Sequence, residues 1–282
     1  MERVAIIGVG LIGGSLGLAL KKHGFCGPIA GVDKDEVLER ARAAGAIDEG
    51  FAELESAVRG ADLIYLATPI SAILELLPRL RHLAPAHALL TDAGSAKSRI
   101  VERAAALFPG SPLFLGGHPL AGSEKRGVEN ASADLFCGAR YVLTPVRRQD
   151  LETPAARDFL GWLERIGARL LVMDAEVHDE VVAWTSHLPQ LVATALAAAV
   201  LEKVRGDDLQ LAAAGLRDTT RLAESPYALW RDICLTNTDN IQEALDALLQ
   251  KLEYLRDNLR SRALEREFEA AQELRERLKK LV

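Results

Sequence analysis

Only three cysteines, Cys26, Cys137 and Cys234, occur in 282 residues, and they lie far apart. No pair has metal-ligand spacing, and their odd number does not suit a disulfide framework. A reducing cytoplasm is the expected setting. Basic runs of the kind that track a phosphate backbone are also missing. With a net charge of −6, nothing points to nucleic acid. A small anionic ligand would have to be met by individual arginines. Long uninterrupted apolar stretches are absent too. Val4 to Leu20 is broken by five glycines and followed, not preceded, by Lys21 and Lys22, which does not suit a signal peptide. Leu188 to Leu201 contains Pro189 and Gln190 and is short for a membrane span. No repeat or low-complexity linker is evident. The expectation is a soluble chain without a membrane partner.

What is present is a balance of 49% hydrophobic and 26% charged residues, enough for a sizeable core. The first part alternates short β-branched runs with amphipathic stretches. Strands are expected at Val4–Ile7, Ile29–Asp33, Leu63–Leu66, Leu89–Asp92 and Leu113–Leu115, separated by helical segments. Strands at Tyr141–Leu143 and Arg169–Met173 flank a helix at 154–166. Such alternation implies a parallel sheet covered on both faces. After Asp174 the strand signal stops, and Ala175–Leu201, Leu209–Leu222 and Trp230–Leu259 read as helices. The last stretch, 260–280, is a charge-laced helix with one narrow apolar seam. The expected organisation is a doubly wound, mostly parallel α/β domain over 1–173 and an all-α domain over 174–282.

Gly8-Val9-Gly10-Leu11-Ile12-Gly13 is a G-x-G-x-x-G run directly after a predicted strand and at the start of a predicted helix. In that context Gly8 permits a tight turn, Gly10 lets a pyrophosphate approach the backbone, and Gly13 lets helix and strand pack closely. The amides of Leu11 and Ile12 belong to the helix N-terminus, which is suited to an anion. Asp33 follows Gly13 by 20 residues, at the end of the second strand. A carboxylate there accepts from ribose hydroxyls and repels a 2′-phosphate, which favours NAD over NADP. Lys34 weakens that exclusion slightly. The first domain is thus expected to be a Rossmann domain that binds NAD.

Four further segments carry reactive side chains: Asp92-Ala93-Gly94-Ser95-Ala96-Lys97, Gly116-Gly117-His118-Pro119-Leu120-Ala121-Gly122-Ser123-Glu124, Ser186-His187-Leu188-Pro189 and Arg217-Asp218-Thr219-Thr220-Arg221. The first two follow predicted strands, at the sheet edge where open α/β folds bind ligands. With the glycine run, and with Trp230-Arg231-Asp232 farther on, these segments resemble the prephenate/arogenate dehydrogenase family. The motifs occur in the family's order from residue 4 to about 260.

The resemblance implies NAD-dependent oxidative decarboxylation of a small anionic substrate, prephenate or arogenate. It makes His118 the group that takes or polarises the substrate hydroxyl proton. Ser95 is implied to hydrogen-bond the hydroxyl and the nicotinamide region, although a serine after glycine also suits a helix N-cap. Arg221 is implied to pair with the ring carboxylate, His187 to help hold the substrate, and Glu124 to belong to a polar gate. Arg217 reads as a surface ion-pair residue. His178, nine positions before His187 and hence on the opposite face of a regular helix, reads as structural. The apolar residues recurring around Ala175–Leu201 lead us to expect a homodimer through the helical domain. Two other readings stay open: a hydroxyacid dehydrogenase of the 3-hydroxyisobutyrate type, and a non-catalytic NAD-sensing dimer. The first would use a helical lysine with no clear counterpart here, and the second would not need His118, His187 and Arg221 together.

Overall fold

The computed structural model describes residues 1–121 and 126–280. Its β-branched and leucine-rich runs form one sheet of eight strands. These are β1 (Val4–Ile7), β2 (Ile29–Val32), β3 (Glu49–Phe51), β4 (Leu63–Leu66), β5 (Leu89–Asp92), β6 (Leu113–Leu120), β7 (Arg140–Pro145) and β8 (Arg169–Val172). The order is β3-β2-β1-β4-β5-β6-β7-β8, with every pair parallel except β6 and β7. Helices α1 (Leu11–Lys22), α2 (Asp35–Ala43), α3 (Leu54–Val58), α4 (Ile70–Leu83), α5 (Ser98–Leu107) and α6 (Pro154–Arg165) lie between the strands in sequence. Strands β1, β4 and β5 are buried along their whole length, as a sheet covered on both faces requires. After β8 come α7 (Ala175–Val182), α8 (Leu188–Lys203), α9 (Ala214–Thr220), α10 (Tyr227–Thr236), α11 (Thr238–Asp257) and α12 (Leu264–Lys279). This is the Rossmann sheet followed by helices that the sequence leads one to expect.

Two strands differ from expectation. The three-residue β3 is an edge strand with a central glycine, too short for a period-2 signal. Strand β6 does not stop at Leu115. It pairs with β5 only through Leu115 and then continues to Leu120 against β7, with His118 opposite Val142. The antiparallel partner carries the backbone hydrogen bonds past the point where β5 ends. Gly116 and Gly117 make the approach possible, because a Cβ on Gly116 would lie 2.3 Å from Thr144 Oγ1 and one on Gly117 2.6 Å from the Asp92 carbonyl.

The chain forms two compact units, 1–238 and 239–282. In the second, Lys251 Nζ bonds Glu267 Oε2 at 2.8 Å and links α11 to α12, and α12 buries none of its residues. In the first, two helical carboxylates dock onto sheet-domain helices. Asp179 of α7 accepts from the amides of Lys97 and Ser98 (2.7 and 2.8 Å) at the start of α5. Asp232 of α10 accepts from the Ser71 amide (2.9 Å) at the start of α4. Each satisfies N–H groups that a helix leaves open and sits at the positive end of its dipole.

Helices α7 and α8 are joined by a π-helical turn at Ala183–His187 into one run, Ala175–Lys203. An 18-residue window of that run reaches a mean hydropathy of 1.2, by length and composition enough to cross a membrane. Its polarity is arranged inside out for a helix that packs on a protein core in water. His178, Asp179, His187 and Gln190 are buried, whereas Val177, Val181, Trp184 and Leu201 are exposed.

Candidate active site

In the sheet order, β2 lies on one side of β1 and β4 on the other, so the chain leaves the ends of β1 and β4 in opposite directions. The crevice at that reversal is where this architecture takes a ligand. A cleft of about 430 Å³ lies there, lined by Leu11 and Ile12 after β1, Thr68 and Pro69 after β4, and Ser95 after β5, with His118 reaching in from β6.

The glycine loop is built as its spacing demands. Gly8 has φ +92°, and a Cβ there would lie 2.6 Å from the Ala67 carbonyl; one on Gly13 would lie 2.1 Å from the Gly8 carbonyl. A Cβ on Gly10 would meet nothing within 4 Å, so the face over Gly10 is open to a ligand. Asp33 Oδ2 accepts from the Val9 amide at 2.8 Å and ties the loop to the end of β2. A carboxylate offers about four lone-pair sites, so capacity for ribose hydroxyls remains. The Thr68 hydroxyl, a cleft-lining group, is buried with no partner among the described residues. The open Gly10 face, the free first-turn amides of α1 and this hydroxyl all fit a dinucleotide. Gly8, Gly10, Leu11, Ile12, Gly13 and Asp33 are the residues that would hold it.

Ser95 is half-buried on the cleft wall. It does not cap α5, whose first residue is Ser98 and whose amides are taken by Asp179. Its hydroxyl is therefore not spent on the helix. The loop between β5 and α5 is instead fixed by Lys97, a lysine with no solvent exposure. Lys97 Nζ pairs with Asp92 Oδ2 and donates to the Gly117 carbonyl at 2.7 Å. Asp92 also accepts from the amides of Gly94 (2.8 Å) and Gly117 (3.2 Å). One buried ion pair thus clamps the Ser95 loop to the strand that carries His118.

His118 is 9% exposed. Burial, followed by the electrostatic effect of His178, Lys97 and His187, holds its imidazole well below its ordinary value. It is a neutral ring at neutral pH, the form a proton acceptor needs. The expectation that His178 lies on the helix face opposite His187 is corrected here. His118 Nδ1 lies 2.8 Å from His178 Nε2, and His178 Nδ1 lies 2.8 Å from Asp179 Oδ1. A π turn advances less angle per residue than an α turn. The one at 183–187 shifts the phase between positions 178 and 187, so the opposite-face argument for a regular helix does not hold.

His187 is buried beside Trp230, with the rings edge to face at 5.9 Å, and its Nδ1 lies 3.2 Å from Asn237 Nδ2. Burial pushes it down to about 4, with Asp179 opposing and His178 adding. It is not among the residues of the cleft lining. Arg221 is exposed, in a short 3-10 segment (Arg221–Glu224), and is likewise not on the lining. Arg217, also exposed, reaches the Ala212 carbonyl at 3.5 Å. Glu124 lies outside the described residues. Among the described residues, the cation on the cleft wall is Arg126, with Asp232 on the lining from α10. Sequence reasoning missed both. Arg126 stands two residues beyond the motif that was read, and Asp232 was noted only as part of a motif.

Residues 16–172 match the family model described as the prephenate dehydrogenase nucleotide-binding domain, and residues 174–280 match that of the prephenate dehydrogenase dimerization domain. The prephenate dehydrogenase of Bacillus subtilis is 37% identical over 262 residues, covering 90% of this chain and 69% of the relative. The cyclohexadienyl dehydrogenase of Zymomonas mobilis is 35% identical, covering 92% of this chain and 89% of the relative. A crystal structure of prephenate dehydrogenase from A. aeolicus, in complex with hydroxyphenyl propionate and NAD+, superposes with a TM-score of 0.89 at 32% identity. That match covers 100% of this chain and 99% of the other.

Proposed function

The chain belongs to the prephenate dehydrogenase family, and from that we propose that it converts prephenate to 4-hydroxyphenylpyruvate with NAD in tyrosine biosynthesis. The observation that carries this reading is a neutral, buried imidazole, His118, on the same cleft wall as Ser95 and the glycine loop. NAD, when bound, supplies the hydride acceptor. His118 takes the proton of the hydroxyl at the carbon that is oxidised, and Ser95 orients that hydroxyl. Loss of carbon dioxide from the opposite ring carbon then makes the ring aromatic and draws the oxidation forward. Prephenate carries two carboxylates. We assign Arg126 and Arg221 as their cationic partners, with His187 supporting the wall behind and Glu124 at the gate. Residues 1–173 would serve as the NAD domain and 174–282 as the substrate and dimerisation domain.

The test is reduced-nicotinamide formation with each pairing of prephenate or arogenate with NAD or NADP. Prephenate with NAD should give the highest kcat/KM, because the Asp33 carboxylate at the end of β2 disfavours a 2′-phosphate. Faster turnover of arogenate would move the substrate assignment. Equal efficiency with NADP would remove Asp33 as the discriminator.

We further propose a cytoplasmic homodimer. The C-terminal helices leave Val177, Val181, Trp184, Leu201, Leu229 and Leu235 exposed, more apolar surface than isolated helices carry on a solvated face. A second copy packed on it would bury a hydrophobic interface of the obligate kind. Light scattering at micromolar concentration should give twice the 30.5 kDa chain mass. A monomer mass would refute the dimer.

A further inference from the structure

The mechanism above uses His118 but leaves two buried neighbours without a task. His178 and Asp179 are each 1% exposed, and they form a chain leading away from His118. His118 Nδ1 meets His178 Nε2 at 2.8 Å, and His178 Nδ1 meets Asp179 Oδ1 at 2.8 Å. The two imidazoles stand edge to face, centroids 5.0 Å apart and planes at 72°. Asp179 is itself held firmly. Its carboxylate accepts from the amides of Lys97 and Ser98, and its carbonyl accepts from Asn237 Nδ2 at 2.8 Å. Burial alone would raise the Asp179 carboxyl. The hydrogen bonds from His178, Ser98 and Lys97 outweigh that and hold it below its ordinary value.

The donor count along this chain has one solution for neutral rings. An ionised carboxylate only accepts, so His178 Nδ1 must carry a proton. His178 Nε2 is then the acceptor, and His118 Nδ1 must donate. The lone pair of His118 is thereby placed on Nε2, the nitrogen that His178 does not occupy. Free histidine prefers the opposite tautomer, with the proton on Nε2, which would present a donor to the substrate hydroxyl. We propose that His178, anchored by Asp179, is a positioning residue that fixes the Nδ1–H tautomer of His118 and so makes Nε2 the proton acceptor. The inference rests on His118 as the base. After proton uptake, both nitrogens of His118 carry hydrogen, and the Nδ1–H bond to His178 persists with the Asp179 carboxylate behind it. The arrangement therefore serves both protonation states of the base without moving.

The experiment uses the full-length enzyme with His178→Leu, which removes the acceptor, and His178→Gln, whose side-chain oxygen restores one. His118→Asn is measured alongside. In the leucine variant, kcat should fall by roughly 10²-fold, while KM and NAD affinity stay within about threefold of wild type. The glutamine variant should recover at least about tenfold of that loss, as expected when one hydrogen bond to the base is restored. Nitrogen-15 spectra of His118 should report Nδ1–H in the wild type and a shift toward Nε2–H in the leucine variant. The pH profile supplies a further readout, with His178, His187 and Lys97 as the groups acting on His118 and Arg126 on the same cleft wall. Normal kcat in the leucine variant with an inactive His118→Asn enzyme would overturn the proposal and leave the base assignment intact. If His118→Asn is also active, it is the base assignment that fails. A wild-type His118 with its proton on Nε2 overturns the proposal whether or not either variant folds, and so does a leucine variant that is slow but keeps the wild-type tautomer.

Discussion

Replacing His118 with asparagine should lower turnover by roughly 10² to 10⁴ while leaving NAD affinity nearly unchanged, because general-base catalysis is lost and the cofactor loop is not touched. The amide keeps hydrogen-bonding capacity toward the substrate and His178 but cannot accept a proton at neutral pH. The wild-type pH profile gives the complementary measurement. Burial holds the free-enzyme imidazole well below its ordinary value, and the electrostatic effect of its neighbours acts in the same direction. A depressed base is already neutral at pH 6.5, so kcat/KM should stay flat from there to about pH 8 and fall only on the acid side. In the complex, the substrate carboxylates favour the imidazolium, so the limb in kcat should lie at higher pH than the limb in kcat/KM. Normal turnover in the variant, or an acid limb that persists unchanged in it, would remove His118 from the mechanism.

The cofactor half of this site was legible in the sequence because its physics is local. Gly8, Gly10 and Gly13 specify one loop between one strand and one helix, and Asp33 stands at a fixed distance along the next strand. The hydride-transfer half was legible only in its residue types. Gly116-Gly117-His118-Pro119 reads as a loop, since glycine and proline weaken a strand pattern. It is a strand because it pairs with β7, and side chains at 116 and 117 would meet Thr144 of β7 and the Asp92 carbonyl of β5. His178 was misplaced because a π turn has no sequence signature that a 3.6-residue period detects. Asp179 and Asp232 were not recognised as caps, since each serves a helix far away in sequence. Lys97 was quoted within a motif, but nothing in the motif announces a lysine without solvent exposure. Long-range pairing decides all of these, and a single sequence does not display it.

Lys97 should therefore matter for stability more than any surface cation. Lys97→Met keeps most of the side-chain volume and removes the ammonium from a site with no solvent access. Asp92 then keeps the amides of Gly94 and Gly117 but loses its counter-charge, and the Gly117 carbonyl loses its lysine donor. Breaking one side of a buried ion pair costs about 3 to 5 kcal/mol, against about 0 to 1 for a typical exposed pair. The exposed Arg277–Glu273 pair of α12 supplies the internal control, and Arg277→Met should change stability little. Adding Asp92→Asn to Lys97→Met should recover part of the loss, because the uncompensated charge disappears while an amide oxygen still accepts from the backbone. Denaturant unfolding of the two single variants, the double variant and the control measures the coupling. The loss should also reach catalysis, since the pair clamps the Ser95 loop to the strand bearing His118. A Lys97→Met protein as stable as the control variant, with no coupling to Asp92, would mean that the ion pair does not hold the two walls of the cleft together.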